Sequence, residues 1–241
     1  MNTLLNDIKI ASSTQQKLLA VLIDPDKFDT KQIIPFLENI HKTVATHIFV
    51  GGSTVKADAT QRLLIELKKN THLPIILFPG DVSQVCNNAD AILYLSLISG
   101  RNPDYLIEQH VKSVSILEAS QLEIIPTGYI LVESGKTTRV QKVTQTQTLN
   151  TVETISKTAK AGQYLGMQLI YLEAGSGAAY PISKTIISQT KQRIQIPLIV
   201  GGGISTKEAI NNAYDAGADL VVIGTAFEKN QQFYKTLLKP L

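Results

Sequence analysis

The chain has 241 residues, 44% of them hydrophobic and 18% charged, which supports a sizeable core and argues against wholesale disorder. Its 23 basic and 20 acidic residues leave a net charge of +3; with no Lys/Arg block, that excess does not point to nucleic acid. Cys86 is the single cysteine, which excludes an internal disulfide and any multi-cysteine metal site.

A helix is expected ahead of the first strand, around Thr3–Lys17. Apolar, strand-like runs then alternate with amphipathic stretches. The runs are Leu18–Asp24, His47–Gly52, Pro74–Gly80, Ala91–Leu97, Ile124–Val132, Gln168–Gly175, Pro197–Gly203 and Asp219–Ala226. Most are short, continuous and rich in Ile, Val and Leu, as strands buried on both faces are. Residues 55–70 and 205–218 have helical spacing, and the second stretch opens with Ser205 and Thr206 followed by Glu208, an N-cap with its acidic partner. Only Asp81–Ala89 separates the third and fourth strands. The third outer helix is therefore expected to be short or modified, leaving either a groove on the wall or simply a short helix. The polar run Thr137–Thr148 is the longest loop candidate and is expected to be a mobile flap. Eight βα units with right-handed crossovers close into a (β/α)8 TIM barrel, an α/β fold taken as one domain over residues 1–241. No apolar run approaches the roughly 18 residues of a membrane span. The N-terminus has no basic patch followed by an apolar core, so a cytoplasmic protein is expected.

Active sites of such barrels sit at the C-terminal ends of the strands. Three glycine-bearing stretches stand there in the last third of the chain: Tyr171–Ala178, Val200–Ser205 and Val222–Phe227. Glycine lets backbone N–H groups approach a ligand, and a following helix N-terminus adds partial positive charge. Three such loops in succession suit a phosphate cradle, with Ser176 and Thr225 as added hydroxyl donors; tight turns alone would also explain the glycines. Asp24 and Ser53 end adjacent strands and offer hard oxygens that suit Mg²⁺, although Asp24 before Pro25 also suits a cap or turn. Asp26 reads as a turn residue, and Lys27 suits either a phosphate or plain solvent. Glu173 is acidic beside the cradle. It fits a neutral hydroxyl of a substrate as orienter or general base, or a salt bridge inside the barrel mouth.

Together the motifs LIDPDK, FVGGS, SGRNPDYLIEQ, TGYILVESGK, YLEAGSGA, VGGGI and GADLVVIGTAFE resemble the geranylgeranylglyceryl phosphate synthase family, with the related heptaprenylglyceryl phosphate synthases. The match runs in order from Leu22 to Glu228. The resemblance implies a Mg²⁺-dependent (β/α)8 barrel with a modified third helix. It also implies transfer of a prenyl chain, geranylgeranyl by expectation, from its diphosphate to the 3-hydroxyl of sn-glycerol 1-phosphate. By the same resemblance the metal positions fall on Asp24 and Ser53, and a strand-five tyrosine falls on Tyr129; Tyr129 and Glu173, the candidate proton acceptor, are taken as the catalytic pair. The glycerol-phosphate positions fall on Tyr171, Leu172, Glu173, Ala174, Gly175, Ser176 and Gly177, then on Gly202, Gly203, Gly224 and Thr225. A homo-oligomer in passing contact with a membrane surface is expected. The chain departs from many archaeal members after strand five, with ESGKTTR in place of a Pro-Gly-Gly stretch, and at Thr225 in place of asparagine. These departures leave tail length and assembly open.

For such a reaction the segment Tyr94–Leu106, near the short third helix, is the expected trough for the tail. At about 0.8 kcal/mol per buried CH₂ a long tail supplies much of the binding energy. A sugar-phosphate isomerase or lyase would share the cradle but need neither Mg²⁺ nor a trough. A non-catalytic phosphate-ligand barrel would need neither Asp24 nor Glu173.

Overall fold

The computed structural model describes residues 3–56 and 58–239. Its eight strands are all parallel and close on themselves in chain order. They are β1 (Leu18–Ile23), β2 (His47–Val50), β3 (Ile75–Leu77), β4 (Ala91–Ser96), β5 (Glu123–Leu131), β6 (Leu169–Glu173), β7 (Leu198–Gly201) and β8 (Leu220–Ile223). Each predicted run matches one strand, trimmed at the C-terminal end where the chain turns into the site loops; β5 also begins one residue earlier than its run, at Glu123.

The helices are α1 (Leu4–Ser13) before the barrel, α2 (Ile33–His41), α3 (Ala59–Asn70), α4 (Gln109–Glu118), α5 (Arg139–Thr144), α6 (Val152–Tyr164), α7 (Lys184–Arg193), α8 (Lys207–Asp215) and α9 (Thr225–Lys229). Helix α3 begins four residues later than the spacing suggests, and Ala57 in that stretch lies outside the described residues. Helix α8 is capped by Thr206, whose hydroxyl accepts the Ala209 N–H at 3.1 Å. Among the described residues no helix is long and apolar enough to cross a membrane.

Strand alternation sorts the side chains into an inner core and outer layers. On β6, Leu169 and Tyr171 belong to the inner core, while Ile170, Leu172 and Ala174 pack outward under the helices. Helix α1 plugs the far end of the barrel: Ile8 and Ala11 join the inner core, and the Glu123 carboxylate accepts the Leu4 and Leu5 N–H groups at 2.6 and 3.1 Å. That carboxylate satisfies donors a helix start leaves unpaired.

The third βα unit has one turn of 3₁₀ helix, Val82–Gln84, in place of a full helix. No bare groove results on the outer wall there. Val85, Cys86 and Ala89 pack against the outer core beside β3, so an extended segment does the covering. The expected flap after β5 is likewise an ordered element. Thr138 and Gln141 form a reciprocal capping box at the start of α5, and Asn102 Nδ2 donates to the Thr144 carbonyl at 2.9 Å. A polar composition concealed a helix whose cap signature was present.

Candidate active site

One cavity of about 420 Å³ opens at the C-terminal ends of the strands, a size ordinary for a small-molecule site. Its polar half is built by the glycine loops. Ser176, after β6, meets Thr225, after β8, with 3.2 Å between their hydroxyl oxygens. Gly177, Gly202, Gly203 and Gly224 border the same space. Gly202 and Gly203 have φ of +83° and +69°, a conformation that disfavours any side chain. A Cβ on Gly202 would stand 2.4 Å from Glu173 Oε1 and 2.5 Å from the Gly175 nitrogen. The β7 loop therefore lies directly on the end of β6 because that position is glycine.

Glu173 is the inward-facing last residue of β6, 5% exposed, and lines the cavity. The Gly175 N–H donates to its Oε1 at 2.6 Å. Burial pushes its pKa up to about 7, against a smaller pull downward from that N–H and from the nearby Tyr171 hydroxyl. Among the described residues the Tyr171 hydroxyl finds no hydrogen-bond partner of good geometry. It occupies the room left by Gly201, where a Cβ would stand 2.3 Å from it. Tyr129 is opposite Tyr171 across the β5–β6 ladder. Burial, and then the Glu173 charge, raise both phenols well above their ordinary pKa, so both remain neutral donors.

The other half of the cavity is apolar. Phe78 stacks on Tyr171 with ring centres 5.2 Å apart and meets Tyr129 edge-on at 5.8 Å. Leu95, Leu97, Val140 and Val143 continue this surface. Part of the expected trough is here: Leu95 and Leu97 face the cavity. Tyr94 is turned outward, its hydroxyl donating to the His110 carbonyl at 2.9 Å. The strand period of two puts neighbouring residues on opposite faces.

Asp24 and Ser53 border the same cavity at the ends of β1 and β2. Asp24 Oδ1 accepts the Asp26 N–H at 3.1 Å, and its Oδ2 pairs with Lys27 Nζ at 3.0 Å. Among the described residues no cluster of three His, Cys, Asp or Glu could hold a metal. The donor set of one carboxylate and one hydroxyl fits Mg²⁺, which keeps much of its shell as water and phosphate oxygen. The loop carrying Ser53 is held by the third βα unit. Gln84, 2% exposed, donates its amide to the Gly52 carbonyl at 2.7 Å and accepts the Gly52 N–H at 3.2 Å.

The structure thus brings Asp24, Ser53, Tyr129, Tyr171, Glu173, Ser176, Gly177, Gly202, Gly203, Gly224 and Thr225 to one cavity. Leu172 and Ala174 do not reach it, being buried on the outer face. Gly175 contributes its N–H to Glu173 and packs on Thr138 of the α5 cap, where a Cβ would stand 2.2 Å from a methyl carbon. Phe78, Gln84 and Arg139 are the residues the sequence reading passed over. Arg139 lines the cavity and its guanidinium donates to the Thr54 hydroxyl.

The PcrB family pattern matches residues 12–241. A Flavobacterium johnsoniae protein named geranylgeranylglyceryl phosphate synthase is 51% identical over 236 residues, covering 97% of each chain. A Zunongwangia profunda protein of the same name is 52% identical over 233 residues, covering 96% of this chain and 99% of its own. The crystal structure of (S)-3-O-geranylgeranylglyceryl phosphate synthase from Thermoplasma acidophilum, in complex with its substrate sn-glycerol-1-phosphate, superposes with a TM-score of 0.92. It is 33% identical, with 98% of this chain and 96% of that one covered. Barrel order, mouth geometry and these likenesses agree: the chain belongs to the PcrB family, that of the geranylgeranylglyceryl phosphate synthases.

Proposed function

We propose that this protein joins a prenyl chain, geranylgeranyl in the first instance, to the 3-hydroxyl of sn-glycerol 1-phosphate through an ether bond, releasing diphosphate, as a step of ether-lipid synthesis. The observation that carries this reading is the position of Glu173: a buried carboxylate lining one cavity together with the glycine loops and an apolar surface.

The cradle, with the Ser176 and Thr225 hydroxyls, holds the phosphate and so presents the far hydroxyl of the glycerol to Glu173. That oxygen attacks C1 of the prenyl group, the C1–O bond breaks, and its electron pair leaves with the diphosphate. The hydroxyl proton passes to the Glu173 carboxylate, whose pKa of about 7 suits a proton acceptor near neutral pH. Holding both reactants in one cavity supplies much of the rate through orientation. Phe78, Tyr129 and Tyr171 offer π faces on which a carbon gaining positive charge is stabilised. Tyr129, as a neutral phenol, is in addition a hydrogen-bond donor. Asp24 and Ser53 would hold Mg²⁺, which when bound supplies Lewis-acid neutralisation of the leaving diphosphate. Leu95, Leu97, Val140 and Val143 receive the start of the tail.

Homo-oligomerisation belongs to this reading too. Ile107, Val111 and Val114 form an exposed apolar stripe at helical spacing leading into and along α4, a face that a second copy would cover.

The test is product analysis after incubation with labelled sn-glycerol 1-phosphate, Mg²⁺ and prenyl diphosphates of several lengths. A prenylglyceryl ether phosphate supports the reading. No ether in that mixture, with turnover of sugar phosphates supplied in a parallel incubation, would replace it with the isomerase or lyase alternative.

A further inference from the structure

The substrates of the proposed reaction carry two separate anionic groups, yet the cradle described above accounts for only one. The segment that departs from the Pro-Gly-Gly stretch of many archaeal members supplies two cations, one lining the cavity and one beside a cradle loop. Lys136 Nζ comes within 3.8 Å of the point where a Cβ on Gly177 would stand, beside the Ser176–Gly177 loop of the cradle. Arg139 is three residues further along, at the start of α5, with the extended N-cap Thr138 just before it. It borders the cavity together with Asp24, Lys27 and Ser53, and reaches the Thr54 hydroxyl next to Ser53. Among the described residues no carboxylate pairs with Arg139. Lys27, by contrast, is paired with Asp24. The residues after Arg139 on the same helix, Val140 and Val143, belong to the apolar half of the cavity.

We propose that Arg139 binds the diphosphate of the prenyl donor and that Lys136 meets the phosphate of the acceptor, so that one segment contacts both anions. The inference rests on the prenyl-transfer reading and extends it to residues that reading did not use. A guanidinium suits this place because its planar fork contacts two phosphate oxygens at once, whereas an ammonium acts as a point charge. The location also fits the donor's shape. A diphosphate held at Arg139 has Ser53 on one side and the valines of α5 on the other, so its tail leaves directly onto apolar surface.

The probes are inorganic pyrophosphate with Mg²⁺ and sn-glycerol 1-phosphate, titrated calorimetrically into Arg139→Gln, Arg139→Lys, Lys136→Gln and Thr54→Val. Steady-state KM values for both substrates accompany the titrations. Arg139→Gln is expected to weaken pyrophosphate binding and raise the donor KM at least about tenfold, the loss of one charge-assisted contact, with acceptor affinity kept. Arg139→Lys should restore part of this. Lys136→Gln should do the reverse, weakening glycerol phosphate and sparing pyrophosphate. Thr54→Val, which removes the arginine's protein contact but leaves its charge, should keep pyrophosphate affinity within about twofold. The proposal is overturned if Arg139→Gln binds pyrophosphate as the unaltered protein does, if both anions weaken equally in both variants, or if Thr54→Val loses as much as Arg139→Gln. The last result would make the arginine a strap between two loops. Absence of any ether product from the unaltered protein would instead overturn the underlying reading, and it is read from a separate assay.

Discussion

Replacing Glu173 with glutamine should weaken the enzyme and stabilise the protein, with the second effect depending on pH. The carboxyl is 5% exposed and its pKa is raised from 4.5 to about 7, chiefly by burial. In the unfolded chain it ionises near 4.5. Between those values the folded state holds a proton the unfolded state has lost, so stability falls as pH rises through this window and the full loss is present above about pH 7. A gap of about 2.5 pH units corresponds to about 3 kcal/mol. Glutamine keeps the acceptor for the Gly175 N–H and cannot ionise. The variant should therefore match the unaltered protein near pH 4.5 and exceed it at pH 8 by roughly 6–12 °C in Tm, at about 2–4 °C per kcal/mol for a chain of this size. Activity should move the other way. The unaltered enzyme should lose kcat/KM as pH falls through about 7, while Glu173→Gln should lose that acidic limb and about 10²–10⁴ in turnover. Thermal melts at pH 5 and pH 8, with pH–rate profiles at saturating donor, check both halves. A Tm difference identical at the two pH values would refute the desolvation argument. Turnover near that of the unaltered enzyme, with the limb intact, would move the proton acceptor elsewhere.

Asp24→Asn keeps the shape of the side chain but removes its charge; turnover should fall by orders of magnitude with its Mg²⁺ dependence shifted, while calorimetry still shows glycerol 1-phosphate bound. Unchanged turnover and Mg²⁺ response would refute the metal role. Ser176→Ala combined with Thr225→Val should raise the glycerol 1-phosphate KM about tenfold or more through the loss of two hydroxyl donors, with Tm within a few degrees; an unaltered KM would place the phosphate outside the cradle. Gln84→Met removes both amide bonds that hold Gly52 and leaves a partly buried carbonyl unpaired, costing about 1–3 kcal/mol in a denaturant melt. It should also raise the Mg²⁺ concentration needed for half-maximal turnover, since Ser53 is carried on that loop; a stability loss alone would limit Gln84 to scaffolding.

The barrel was legible because its strands are buried on both faces and therefore read as unbroken Ile, Val and Leu. Asp24, Ser53 and Glu173 were legible because a polar residue ending such a strand has to face the mouth or be explained. What escaped depends on chain segments meeting. Gln84 carries no motif, and its value comes from a loop 32 residues away in sequence. Phe78 carries no polar group to mark it at a strand end, although it stacks on Tyr171 within the site. Leu172 and Ala174 entered with a contiguous loop, but the strand's period of two turns them outward. Tyr94 misses the trough for the same reason, one position before Leu95.

The glycines of the mouth do two things that a turn-forming role alone would not require. In the proposed reading they expose backbone donors to the phosphate, and at Gly202 the missing side chain lets the β7 loop rest on Glu173. That contact helps keep water from the carboxylate, and burial is the largest cause of its raised pKa. A bulkier residue would hold the loop away, hydrate the acid and return it toward an ordinary value at which it accepts protons poorly. The phosphate cradle and the proton acceptor are thus one packing arrangement. On the proposed reading this explains how an acid can stand beside an anion-binding site: at neutral pH it is only partly ionised, and its hydrogen bond comes from a backbone N–H. The stability lost by burying it is the counterpart of the basicity the reaction uses, so the two should change together in any variant that alters access to Glu173.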